Sequence, residues 1–305
     1  MTPKVRAWLL IFTVLAVCGL MVWGAVWYRS RSLTPAAMWK RLPADDAVVV
    51  YIDLGQLRRL RVLQLLDNSQ VAQEPDYQAF VSKTNFDYRQ DLDTVLVAFA
   101  PTGKYMLLRG RFDWKALKGY VIASDGRCLN AVCKMMGSTP DRHISFFPLQ
   151  QNLMALAVSP EESAAERMNA VSRRPDPELP EAPVWITVPP SMLQSNRSLP
   201  SGAQLFARAI ERAEAVTLWA VPDGNGFVAN LSVRCASAED AVEMASKLGK
   251  VTLLLRELIA KENQTPNPAD LSGVLTAGSF HNEGKKVLGA WPMRSALLEN
   301  LLGAK

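Results

Sequence analysis

From Trp8 to Tyr28 the chain carries 21 residues without a charged side chain. As a helix rising about 1.5 Å per residue such a run is about 31 Å long. That matches a hydrocarbon core of about 30 Å. Signal peptides have shorter apolar cores and a small-x-small cleavage site. This run instead closes on Trp23, Trp27 and Tyr28 and opens at Trp8, as the aromatic belts of a retained helix do. The reading is an uncleaved single-pass signal anchor. The short amino-terminal tail places everything after it outside the cytoplasm.

The anchor distorts the charge of the whole. Among 305 residues with a formal charge of +5, Lys4, Arg6, Arg29 and Arg31 flank the apolar run and no acidic residue occurs before position 32. Without those four, 30 basic residues face 29 acidic ones. Nucleic-acid binding rests on concentrated positive charge, so the rest of the chain is not expected to bind it. Cys128, Cys133 and Cys235 follow Cys18 with no C-x-x-C pair, and Cys128 and Cys133 fall on a stretch read as helical to Met136. No disulfide framework is expected.

Strand and helix signals then alternate. Val48 to Ile52, Val95 to Ala100 and Tyr105 to Arg111 read as strands, the last two as a hairpin over Pro101-Thr102-Gly103-Lys104. Asp113 caps a helix carrying Trp114 and Leu117, and Ile144 to Leu149 pairs with Leu153 to Val158. Ser159-Pro160-Glu161-Glu162 has a capping hydroxyl, proline at the first helical position and a carboxylate three residues after the cap, which predicts a helix to Val171. Pro175, Pro177, Pro180 and Pro183 cannot sustain helix or sheet. Beyond them Val184 to Val188, Val216 to Val221 and Phe227 to Cys235 read as strands. Ser237 caps a long helix, Leu275 to Phe280 pairs with Lys286 to Trp291, and Pro292 opens a last helix.

The order of elements repeats on either side of the prolines, and Asp93 to Pro101 aligns with Glu214 to Pro222 without a gap. The expected fold is α+β: an N-terminal transmembrane helix, then two pseudo-repeated units of mostly antiparallel sheet, about five strands each, with helices on one face. The boundaries are an anchor at 1–31, units at 32–172 and 184–305, and a Pro-rich linker at 173–183.

Chemistry is hard to find in these residues. His143 and His281 are the only histidines, and no H-E-x-x-H, phosphate loop, dinucleotide fingerprint or G-x-S-x-G elbow is present. No metal or cofactor is expected. The nearest approach to a reactive constellation is Asp91 and Asp93 with Arg109 and Arg111, which alternate along predicted strands. A solvated strand entry and structural ion pairs are the simpler account of them.

Leu42-Pro43-Ala44-Asp45, Val50-Tyr51-Ile52-Asp53-Leu54, Asp91-Leu92-Asp93 and Gly110-Arg111-Phe112-Asp113 occur in succession between residues 42 and 118. This succession resembles a group of uncharacterised bacterial proteins with one membrane anchor and an extracytoplasmic α+β region. The resemblance implies a bacterial envelope location, with the anchor in the inner membrane and the rest of the chain in the periplasm, and supplies no activity. The expected function is therefore an envelope interaction module that binds a protein partner. One alternative is an enzyme with a site assembled from Asp91, Asp93, Arg109 and Arg111. Another is a lipid-binding module, for which an open apolar groove between helix and sheet would be diagnostic.

Overall fold

The computed structural model describes residues 16–24, 34–60, 62, 75–137, 139, 141–193, 201–224, 226–294, 296–297 and 300. Twelve strands form one antiparallel sheet in the order β11-β12-β10-β9-β8-β1-β2-β3-β7-β6-β5-β4. They are β1 (Val48–Asp53), β2 (Leu92–Ala100), β3 (Gly103–Gly110), β4 (Arg127–Leu129), β5 (Val132–Met136), β6 (His143–Gln150), β7 (Leu153–Ser159), β8 (Val184–Val188), β9 (Ala215–Asp223), β10 (Gly226–Arg234), β11 (Ser279–Glu283) and β12 (Lys286–Arg294). The α+β class holds. The expected pair of pseudo-repeated five-stranded units does not, because all twelve strands form one sheet in which β1 and β8 pair with each other, Val49 opposite Thr187 and Tyr51 opposite Trp185. A free sheet edge is a row of unsatisfied backbone groups. Joining two such rows removes both and leaves one sheet, seven strands on one side of the seam and five on the other.

The membrane anchor is also corrected. Among the described residues no helix is long and apolar enough to cross a membrane. Residues 16–24 are helical and mostly exposed, while 8–15 and 25–28 of the expected span lie outside the described residues. Nine helical residues rise about 13 Å, less than half a hydrocarbon core of about 30 Å. The structure thus does not carry the single-pass inner-membrane placement.

Side chains alternate across a strand, so each face of the sheet has its own core. On the front face Val49, Tyr51, Leu96, Leu107, Ala155 and Trp185 are buried. They lie beneath α1 (Pro35–Trp39) and a 3-10 helix at Ala164–Asn169. On the back face, the first side carries α2 (Leu54–Arg59), α3 (Pro75–Thr84), α4 (Tyr88–Asp91) and α5 (Trp114–Ala123). The second side has α6 (Pro190–Leu193), α7 (Ser201–Ala209), α8 (Ala238–Lys261) and α9 (Leu271–Thr276). Leu231, Val233, Val287 and Trp291 point at Phe206, Met244 and Leu248 there. Helices therefore occupy both faces, where one was expected.

Local chemistry explains most boundaries. Asp113 accepts from the amides of Lys115 and Ala116, and Ser237 from that of Asp240, so both expected caps form. The helix expected from Pro160 to Val171 shrinks to the 3-10 turn. Ser159 ends β7 and donates its hydroxyl to the Thr102 carbonyl, and Ala165 donates its amide to the buried Ser145 hydroxyl. Anchorage to the sheet outweighs the helix-start signal. Pro292 lies inside β12, opposite Val228, so the expected last helix starts later, and its described residues 296–297 and 300 are helical.

The expected helix at Cys128–Met136 is a hairpin, with Cys128 directly opposite Cys133 and disulfide-bonded to it. The expectation that these thiols stay apart assumed a helix, on which residues five apart point in different directions. Across an antiparallel pair they face each other. Asn130 and Ala131 turn the chain at φ of +48° and +70°, the left-handed pair that a two-residue hairpin uses.

Two outcomes test this description. Trp185 is 1% exposed and stacks on Tyr51 at 5.1 Å, so Trp185→Ala should lower unfolding stability by about 3–5 kcal/mol in urea titration. Ala131→Gly should raise unfolding stability by about 0.5–1 kcal/mol, and with it the urea midpoint, because glycine takes the left-handed turn position without a Cβ clash. A lowered midpoint for Ala131→Gly would contradict the hairpin.

Candidate functional site

The sequence-derived constellation does not converge. Asp91 pairs with Arg111 at 3.0 Å, and Arg58 approaches Asp93 at 3.8 Å while donating to the carbonyls of Arg89 and Leu92. Arg111 also donates from its guanidinium to the Gln90 carbonyl and from its backbone amide to the Asp91 carbonyl. These contacts tie α4 to the end of β3, the structural role that alternation along a strand entry suggests. Arg109 sits in β3 opposite Thr94, apart from that pairing. His143 begins β6, and His281 is exposed at the β11 edge, 3.4 Å from Glu283. Among the described residues no three histidine, cysteine or carboxylate side chains gather in a metal-sized cluster.

What the fold does build is an apolar pocket of about 290 Å³ between α3, α5 and the back of β3, β5, β6 and β7. Period-2 alternation supplies its floor. Ile144 and Phe146 on β6, Met154 and Leu156 on β7, Leu108 on β3 and Met135 on β5 all point one way. Helical spacing supplies the roof, with Leu117, Tyr120 and Val121 on α5 and Phe80 on α3. Aromatic rings frame it: Phe80 meets Tyr120 edge-on at 5.1 Å, and Phe86 stacks on Phe112 at 5.5 Å. Among the described residues no charged side chain lines the space.

Cys133 is fully buried in the same cluster as Leu117, Val121, Phe146 and Met154, so the disulfide hairpin belongs to the pocket's supporting wall. At Gly126, before β4, an added Cβ would lie 2.5 Å from a Val121 methyl and 2.6 Å from the Lys134 carbonyl. Only glycine lets the hairpin sit this close to α5.

A polar latch holds the opposite end of α3. Tyr77 donates its hydroxyl to Asp87 at 2.9 Å, and Arg89 grips the same carboxylate with two side-chain bonds. Burial alone would raise the Asp87 pKa, but the Arg89 bonds outweigh it and hold this carboxyl below the usual carboxylate range. Burial, reinforced by the bond to Asp87, pushes Tyr77 up to about 12.

Sequence reasoning identified most of the flanking elements and not the pocket. Six of the chain's ten phenylalanines fall between positions 80 and 147, which was the available signal.

The latch makes a pH prediction. A folded state that holds the Tyr77 proton more tightly than the unfolded chain is favoured below the ordinary tyrosine pKa of about 10, and that advantage is lost as pH rises toward 12. Spectrophotometric titration should show late-ionising tyrosinates, because burial also raises Tyr51, and Tyr77→Phe should remove one of them. In Asp87→Asn that midpoint should fall while staying above 10, since burial persists. At the acid end, the contribution of Asp87 is present above the ordinary aspartate pKa and is lost as pH falls through its depressed value.

No family model and no curated protein matches this chain. Its fold is similar to that of solved structures of a protein called TP0453. For crystal form III the TM-score is 0.48 at 12% identity, covering 85% of this chain and 94% of that one. Crystal form IV gives 0.45 at 12% identity, covering 84% and 91%. Crystal form I gives 0.44 at 12% identity, covering 84% and 93%.

Proposed function

We propose that this protein is a binding module for an apolar small molecule of the acyl-chain class, held between α5 and the back of the sheet. The reading rests on the 290 Å³ pocket and its wholly apolar and aromatic lining. Small-molecule sites are concave, mostly apolar and begin at about 300 Å³. At about 24 cal/mol per Å³, leaving this much apolar space unfilled costs at most about 7 kcal/mol, comparable to a domain's net stability. An acyl chain offsets that cost at about 0.8 kcal/mol per buried methylene. The absence of charge from the lining disfavours a polar substrate, because a buried polar group without a partner is expensive.

A protein partner is the second reading, favoured by one observation. Helix α8 exposes Leu253, Leu254 and Leu258, with 56%, 44% and 45% of each accessible. Single exposed leucines are ordinary, whereas three within six residues of one helix form a patch.

A fluorescent fatty-acid probe titrated into the full chain tests the first reading. Saturable binding is expected, with displacement by unlabelled fatty acids that strengthens with chain length. Leu156→Trp, which fills the pocket from β7, should weaken it at least tenfold while leaving the circular dichroism spectrum unchanged. Binding unaffected by Leu156→Trp and abolished by Leu254→Asp with Leu258→Asp would transfer the function to α8.

A further inference from the structure

The front face of the sheet carries a second concavity that the apolar pocket does not explain. Past the front core, beside the seam, a groove of about 460 Å³ lies between the sheet and the Pro177–Pro180 segment. This proline-rich stretch is tied down along its length. Asp176 pairs with Lys40 at 2.6 Å, Glu178 with Lys286 at 2.5 Å, and Arg174 with Asp45, while Leu179 packs against the front core. The expected linker is in fact a strap across the sheet.

The floor of the groove is ordered in rows by strand register. Thr187 on β8 stands directly opposite Thr217 on β9, which stands opposite Ser232 on β10. One step along the strands, two residues away on the same face, Trp219 borders this row, and Trp39 reaches the groove from the end of α1. On the other side of the hydroxyl row, Arg234 and Lys286 are cross-strand partners. The three hydroxyls and both indole N–H groups make no hydrogen bond with other described residues, and all five side chains are partly exposed.

Directly opposed residues on antiparallel strands stand about 4.5–5.5 Å apart. A row of hydroxyls at that spacing repeats at about the length of one pyranose unit in a saccharide chain. Sugars combine apolar C–H faces, which suit a tryptophan ring, with hydroxyl edges that exchange hydrogen bonds with threonine, serine and indole N–H. A purely apolar ligand would desolvate the three hydroxyls and leave them unpaired, at a cost in affinity. A phosphate-bearing ligand needs uncompensated positive charge. Here Lys286 is already held by Glu178, and Arg234 has Glu214 at 3.8 Å.

We propose that this strapped groove binds a neutral saccharide chain along the Thr187, Thr217 and Ser232 row, with Trp219 and Trp39 against its sugar faces. The site is separate from the apolar pocket, being on the opposite face of the sheet. Either can fail without the other.

Isothermal titration calorimetry of the full chain with cellotetraose and with the N-acetylglucosamine tetramer, alongside intrinsic tryptophan fluorescence, tests the assignment. Saturable heat and a fluorescence change are expected with at least one of them. Thr217→Val, which keeps the shape and removes the hydroxyl, should weaken binding about fivefold, and Trp219→Ala at least tenfold. Leu156→Trp should leave it unchanged. Absence of binding by either tetrasaccharide to the folded chain would overturn the proposal, as would binding indifferent to both Thr217→Val and Trp219→Phe.

Discussion

The backbone ladder between β1 and β8 carries the architecture. Its four paired positions join residues 49–52 to 184–187, more than 130 residues apart in the chain. Without it the sheet would split and expose two edges beside the largest buried aromatic side chain. Tyr51 and Trp185, directly opposed across that ladder, stack at an interplanar angle of 12°, and Trp39 tilts against the same indole at 5.9 Å. Hydrogen bonds set the register here, and burial of aromatic area makes it hold.

From that continuity follow two faces with different chemistry. On β7, Ala155 and Ala157 lie in the front core while Met154 and Leu156 turn to the back, so a single strand contributes to both layers. Small side chains on the front allow the 3-10 helix to sit close, and long ones on the back line the apolar pocket. On β9 and β10 no described helix covers the front face. There Thr217, Trp219 and Ser232 are left to a proline strap and to solvent. A strap held at its ends and by single side chains is narrower than a helix, so a groove remains beside it.

Much of the local structure was legible because its causes are local. Val95 to Ala100 is a continuous apolar run of strand length, Asp113 and Ser237 sit where a helix needs an acceptor, and the prolines from 175 to 183 exclude both regular structures. Errors arose where a distant partner outbid a local signal. Ser159-Pro160-Glu161-Glu162 reads as a helix start, yet the Ser159 hydroxyl is committed to Thr102, 57 residues earlier. Cys128 to Met136 lacks turn glycines and proline, and its hairpin forms through Asn130 and Ala131, an alanine in a conformation that disfavours it. Asp91 and Arg111 looked like a possible acid and anion-binding pair. They neutralise each other, which sequence spacing could not reveal because the whole β2–β3 hairpin lies between them.

The sequence by itself determined the α+β class, most strands, the principal caps and a proline-rich stretch without helix or strand, since each depends on residues within a few positions of one another. Only the tertiary structure decided that one sheet forms rather than two, that helices cover both of its faces, that Cys128 meets Cys133, and where the pocket and groove lie. Those outcomes depend on which strand edges find each other and which side chains are brought level across them. Pairing of that kind is a property of the assembled backbone, and no single stretch of the chain records it.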